Sequence, residues 1–229
     1  MNHVVSEPTR PSSPDPTHLE QRTAELHDAL RKIDPQLLAL RTGSIYVPVN
    51  QGQGSFHLRY WDRMLSLTYP EFVARDDRSG ERLGALDQAM LAYYFALSDG
   101  TPQSGIWISF SDLPDGRFYT QAFQGYTGDK LVKIMGNDET GFATAAGVVR
   151  GQELAPGKGL GDRAFVFQAL PFVSLLVVCW LGDEDFPPSY RLLFDGAAEN
   201  HLSTDACAIL GSGLTRRLLK AYRSPATGD

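Results

Sequence analysis

The stretch "WLGDEDFPPSYRLLFDGAAENHL", Trp180 to Leu202, holds two groups of side chains that could do chemistry. Asp183, Glu184 and Asp185 follow one another directly after an apolar run, and Asp195, Glu199 and His201 come shortly afterwards. An acidic edge of the first kind suits a hard cation or the cationic group of a substrate, because such cations favour several oxygen ligands. A histidine beside carboxylates suits general acid or base work, since a neighbouring charge tunes an imidazole across neutral pH. If Tyr190 to Asp195 is extended at about 3.3 Å per residue, Asp185 and Asp195 lie roughly 17 Å or more apart. The two groups then form separate features at opposite ends of a strand. Each has a structural reading that outweighs the chemical one. The acids of the first would cap turns in a hairpin loop whose Phe186 plugs the core, and Asp195 would bond turn amides before Gly196.

A third group is aromatic. Trp107, Phe110, Phe118, Tyr119, Phe123 and Tyr126 are interleaved with Ser109, Ser111, Asp112, Arg117 and Gln121. Most of these rings are expected in the core. A ligand pocket is nevertheless mostly apolar with a few placed polar groups, so Trp107, Phe110, Arg117, Tyr119 and Tyr126 are the candidate ligand contacts, with Arg117 and Tyr126 supplying polarity.

Other motifs carry less. "GKGLG" at Gly157 to Gly161 precedes a strand, whereas a phosphate loop follows a strand and opens a helix; "GQGS" at Gly52 to Ser55 leads into "FHLRYW" with no helix. His27 is read as a boundary residue of the first helix and His57 as structural. Cys207 shares a helical face with Leu210, Leu214 and Leu218, and Cys179 lies inside the most apolar run, so both thiols read as small buried hydrophobes. Two cysteines make neither a four-ligand zinc site nor a redox CxxC pair.

Composition narrows the classes. The 229 residues are 42% hydrophobic and 21% charged, ordinary for a globular protein. The formal charge of -6 argues against a nucleic-acid partner, and the only basic cluster is "RR" at Arg216 and Arg217. No apolar run reaches the roughly 18 residues of a membrane span, and "MNHVVSEPTRPSSPDP" lacks the pattern of a signal peptide. Cytoplasmic residence without a membrane partner is expected. The composition leaves the oligomeric state open.

The elements that would position these groups follow from periodicity. Residues 1–17, interrupted by Pro8, Pro11, Pro14 and Pro16, are expected as a disordered tail. One α+β domain is expected over 18–223, with a flexible end at 224–229. Leu19, Leu26, Leu30 and Ile33 have helical spacing, and Asp34-Pro35 reads as an N-cap with proline at the first position of a short helix through Leu40. "SFHLRYWDRMLSLTYPEFVA", Ser55 to Ala74, reads as a two- or three-stranded hairpin unit. Leu83, Leu86, Met90, Tyr93 and Leu97 restore helical spacing. A short strand at Ile106 to Phe110 precedes helices at about Asp129 to Met135 and Asp138 to Val149, the second capped by Asn137. Strands at Arg163 to Ala169, Val173 to Leu181 and Tyr190 to Phe194 are joined by loops short enough for antiparallel pairing. A helix from about Thr204 to Tyr222 closes the chain. Strand runs in two places with helices between them define an α+β fold with antiparallel, or mixed, sheet and flanking helices.

"GIWISFSDLPDGRFYTQAFQGYTGDKLVKIMG" together with "FQALPFVSLLVVCWLGDEDFPPSYRLLFDGAAENHLSTDACAILG" resembles the bacterial and archaeal family known as domain of unknown function 3786, over roughly Leu19 to Leu219. Some members of that family carry a cysteine-rich iron-sulfur segment, absent here, which implies a link to corrinoid or tetrapyrrole redox biology. The resemblance supplies no catalytic residue. It implies a small-molecule or cofactor-binding or accessory protein, the cofactor itself unidentified. The alternatives are a metal-dependent or acid/base enzyme using Asp195, Glu199 and His201, and a protein-interaction module.

Overall fold

A computed structural model describes residues 16–155 and 160–224. The tail expected over 1–17 and the flexible end at 224–229 lie almost wholly outside the described residues, as does most of the "GKGLG" loop.

Helix α1, Pro16–Leu30, begins within the stretch read as tail. Helix α2, Pro35–Thr42, has the cap expected from Asp34-Pro35: the Asp34 carboxylate accepts from Gln36 N and Leu37 N. It stops at Gly43, whose φ of 62° is left-handed and whose missing Cβ leaves room for the Phe172 ring, 3.0 Å from where that carbon would stand.

The first sheet is antiparallel in the order β1-β2-β3-β4, with β1 Ile45–Asn50, β2 Gln53–Tyr60, β3 Arg63–Tyr69 and β4 Ala74–Asp76. Phe56, Leu58 and Tyr60 alternate with polar residues on β2 and meet Leu67 and Leu65 of β3 on one buried face. That face packs against helix α3, Ala85–Leu97, where Phe95 sits 5.0 Å from the Phe56 ring. The hairpin unit of the sequence reading is therefore the middle of a larger sheet.

The second sheet is antiparallel in the order β5-β9-β8-β7-β6, from β5 Trp107–Ser109, β6 Gln152–Glu153, β7 Arg163–Leu170, β8 Val173–Trp180 and β9 Ser189–Asp195. Central β8 is buried on both faces until Trp180, as its continuous apolar run requires. One face meets α4, Thr120–Tyr126, α5, Gly128–Met135, and α6, Glu139–Val148; Phe142 of α6 lies edge-on to both Phe165 and Tyr190. The long closing helix α7, Thr204–Arg223, lays Cys207, Leu210, Leu214 and Leu218 into the same core. On the outer face Leu176, Val178 and Ala164 are covered by Trp107, Leu154, Leu160 and Trp180.

Two local expectations are corrected. The cap of α6 is Asp138, which accepts from Gly141 N, while the Asn137 amide bonds the Gly182 backbone instead. Phe186 does not plug the core: it is 70% exposed, because the loop is held by the Asp183 carboxylate accepting from Asp185 N and Phe186 N, not by burial of its ring.

Candidate functional site

The site begins at a turn that costs conformational energy. β2 and β3 are joined by two residues, Trp61 and Asp62, since Tyr60 pairs with Arg63. Trp61 has a φ of 55°, a left-handed conformation in which a bulky side chain is an outlier. Its backbone is held from both sides: Trp61 N donates to Ala169 O of the second sheet at 2.9 Å, and Trp61 O accepts from Arg59 Nε at 2.9 Å. Trp61 is 7% exposed, and its ring supports the Arg217 guanidinium.

Around this turn two clefts adjoin. A cleft of about 340 Å³ opens between the hairpin tip, α3 and α7, with Met90 and Leu210 in its floor and Arg216, Arg217 and Lys220 on its rim. A second, of about 280 Å³, lies between Trp61, Val148, Leu214 and the same Arg217 and Lys220. Gly213, Arg216, Arg217 and Lys220 reach the first together, and Arg217 and Lys220 the second, because residues three and four apart share a helix face. Tyr60 Oη donates to Asp87 Oδ1 at 2.8 Å, and burial, then the Asp87 charge, pushes the phenol up, so the hydroxyl stays protonated. Asp62 faces Arg217 at 3.6 Å. Among the described residues Arg216 and Lys220 have no carboxylate at ion-pair distance. The arrangement offers positive charge above an apolar floor.

The residues singled out in the sequence lie elsewhere. Asp183, Glu184 and Asp185 are exposed at the β8–β9 turn, where amides hold the Asp183 carboxyl below its usual range. Asp195 ends β9, beside Trp107 at the other end of the sheet. It is buried, and its carboxylate accepts from Ser104 N at 2.8 Å, Gly105 N at 2.7 Å, Ala197 N at 2.9 Å and Ser104 Oγ at 3.1 Å. Glu199 is exposed. His201 is fully buried and bonded to neither acid: Nε2 donates to Thr101 O at 2.8 Å, which leaves Nδ1 to accept from Ser98 Oγ at 3.1 Å. Burial lowers its pKa, against smaller opposing effects of the Thr101 bond, Asp99 and Asp195. This is a neutral imidazole stacked on Phe172, not one poised by Asp195 or Glu199.

The aromatic candidates separate in the same way. Phe110 is core, stacked on Phe123 at 4.2 Å, and Trp107 covers the outer sheet face. Tyr119 and Arg117 are exposed around a pair of short 3-10 turns, and Tyr126 ends α4 with its ring edge-on to Phe123. Among the described residues no group of three or more His, Cys, Asp or Glu side chains is placed to hold a metal ion, and no helix is long and apolar enough to cross a membrane.

Fold and cleft together define an α+β protein of two antiparallel sheets carrying a cation-rimmed surface cleft. The chain belongs to the family described as Domain of unknown function (DUF3786), whose model matches residues 34–217 and so ends within α7, before Lys220. No curated protein and no solved structure matches it.

Proposed function

We propose that this protein binds a small organic anion with an apolar body, as a ligand-binding or accessory protein, in the cleft between the β2–β3 turn and α7. The observation that carries this reading is the pairing of Arg216 and Lys220, without carboxylate partners among the described residues, with the apolar floor at Met90 and Leu210. Pockets for small molecules fall in the range of about 300–1,000 Å³ and combine such floors with a few placed polar groups. The strained, doubly anchored Trp61 adds support, because backbone strain of this kind collects at ligand clamps. Carboxylate-bearing fragments of tetrapyrroles or corrinoids belong to this ligand class.

Fluorescence titration with 1-anilinonaphthalene-8-sulfonate, an anion on an apolar body, tests the reading. Saturable binding to the folded protein is expected, lost in the double variant Arg216→Gln, Lys220→Gln. Binding that the double variant keeps would place the dye elsewhere and remove the support.

A further inference from the structure

Next to these clefts, and sharing Asp62 with the smaller one, is a third of about 620 Å³ lined by Arg63, Arg78 and Arg150 and by Asp62, Asp76 and Asp77. Its formal charges balance, but its guanidinium groups are not closely paired. Asp62 is turned to Arg217 at 3.6 Å, Asp77 faces His57 Nδ1 at 3.5 Å, and Asp76 Oδ1 accepts from Arg78 N at 2.9 Å and Ser79 N at 3.0 Å. Arg63 Nε is buried without any hydrogen-bond partner, and its Nη1 comes no nearer than 3.7 Å to Asp76 Oδ2. A buried donor of this kind costs the full desolvation of the group unless an acceptor reaches it. Arg78 and Arg150 enter no ion pair among the described residues. Arg150 also holds a φ of 59° just beyond α6, a position that favours glycine.

We propose that this cleft is a phosphate site, in which the guanidinium groups of Arg63, Arg78 and Arg150 donate to the oxygens of a phosphate ion or a phosphomonoester. Guanidinium forks match that geometry and add charge to each bond. The site uses different residues from the organic-anion cleft and stands or falls independently of it.

Calorimetric titration of the full chain with inorganic phosphate and with phenyl phosphate, at constant ionic strength, tests the assignment. Saturable one-to-one binding is expected, weakened about tenfold or more by Arg150→Ala, whose exposed side chain can be removed without disturbing the core, and likewise by Arg63→Met. Arg216→Gln, Lys220→Gln should bind phosphate as the parent does. Tighter binding of phenyl phosphate assigns an esterified ligand, and tighter binding of inorganic phosphate the free ion. Absence of saturable binding of both, or binding that Arg150→Ala leaves unchanged, would overturn the proposal.

Discussion

The Arg217 guanidinium lies over the Trp61 indole, its central carbon 5.0 Å from the ring centroid, while one of its nitrogens faces Asp62 at 3.6 Å. A strained hairpin tip on the first sheet is thereby fastened to the last helix of the chain. The same contact divides the two clefts and supplies a cation to each.

Replacing Arg217 by Met should keep most of the packing but lose the cation–π contact and the ion pair. The half-exposed setting limits the cost to about 1 kcal/mol. Urea unfolding should show that decrease, whereas Trp61→Ala, which empties a buried site, should cost about 3–5 kcal/mol.

Stability should fall on mild acidification. The folded pKa of His201 is lowered by burial from its ordinary value of 6.5, so the unfolded chain takes up a proton first as pH falls. The contribution of the neutral imidazole is complete above about 6.5 and is lost as pH falls through the lower folded value. His27, half-buried against Phe72, is lowered for the same reason and acts in the same direction. Urea midpoints at pH 7.5 and 5.5 should differ less in His201→Gln than in the parent. A His201 ring that titrates at or above its ordinary value by NMR would contradict this.

Asp195→Asn should destabilise by about 2–4 kcal/mol, because an amide nitrogen would then confront N–H donors that now meet a carboxylate. The loss falls on the Ser104–Gly105 segment that leads into β5. Neutralising Asp183 and Asp185 together should leave the His201 titration unchanged. They sit at the opposite end of β9, about 20 Å along the strand, well beyond a Debye length of about 8 Å.

The thiols should be inert in the native protein. Burial pushes Cys207 up to about 12 and raises Cys179 as well, and the thiolate is the reactive form. Labelling with a disulfide reagent at pH 8 should proceed only at the rate of unfolding.

Strong periodicity made much of this fold legible. The Cys207, Leu210, Leu214 and Leu218 stripe, the Asp34-Pro35 cap and the apolar β8 run each have one physical solution, and the structure adopts it. Strand β1 escaped because its residues are mostly exposed and Pro48 argues against a strand, although an edge position tolerates it. Helix α4 buries only Phe123, too little for a face to appear in sequence. The cleft was half visible. "RR" at Arg216 and Arg217 is the basic cluster, and Gly213 and Lys220 share its helical face. What no local pattern encodes is that Trp61, more than a hundred residues earlier, packs beneath it, since that contact is made by tertiary docking of a turn. Asp195 and His201 drew notice by residue type, but their partners, Ser104 and Thr101, lie in a loop about a hundred residues upstream.

Binding in the cleft at Trp61 is tested most directly by mapping decanoate onto the protein through backbone amide and indole N–H chemical shifts. Saturable shifts are predicted at Trp61, Gly213 and Lys220, with decanol, which lacks the charge, producing far smaller ones. Shifts confined to the Trp107 to Tyr126 segment, or none that saturate, would contradict the account.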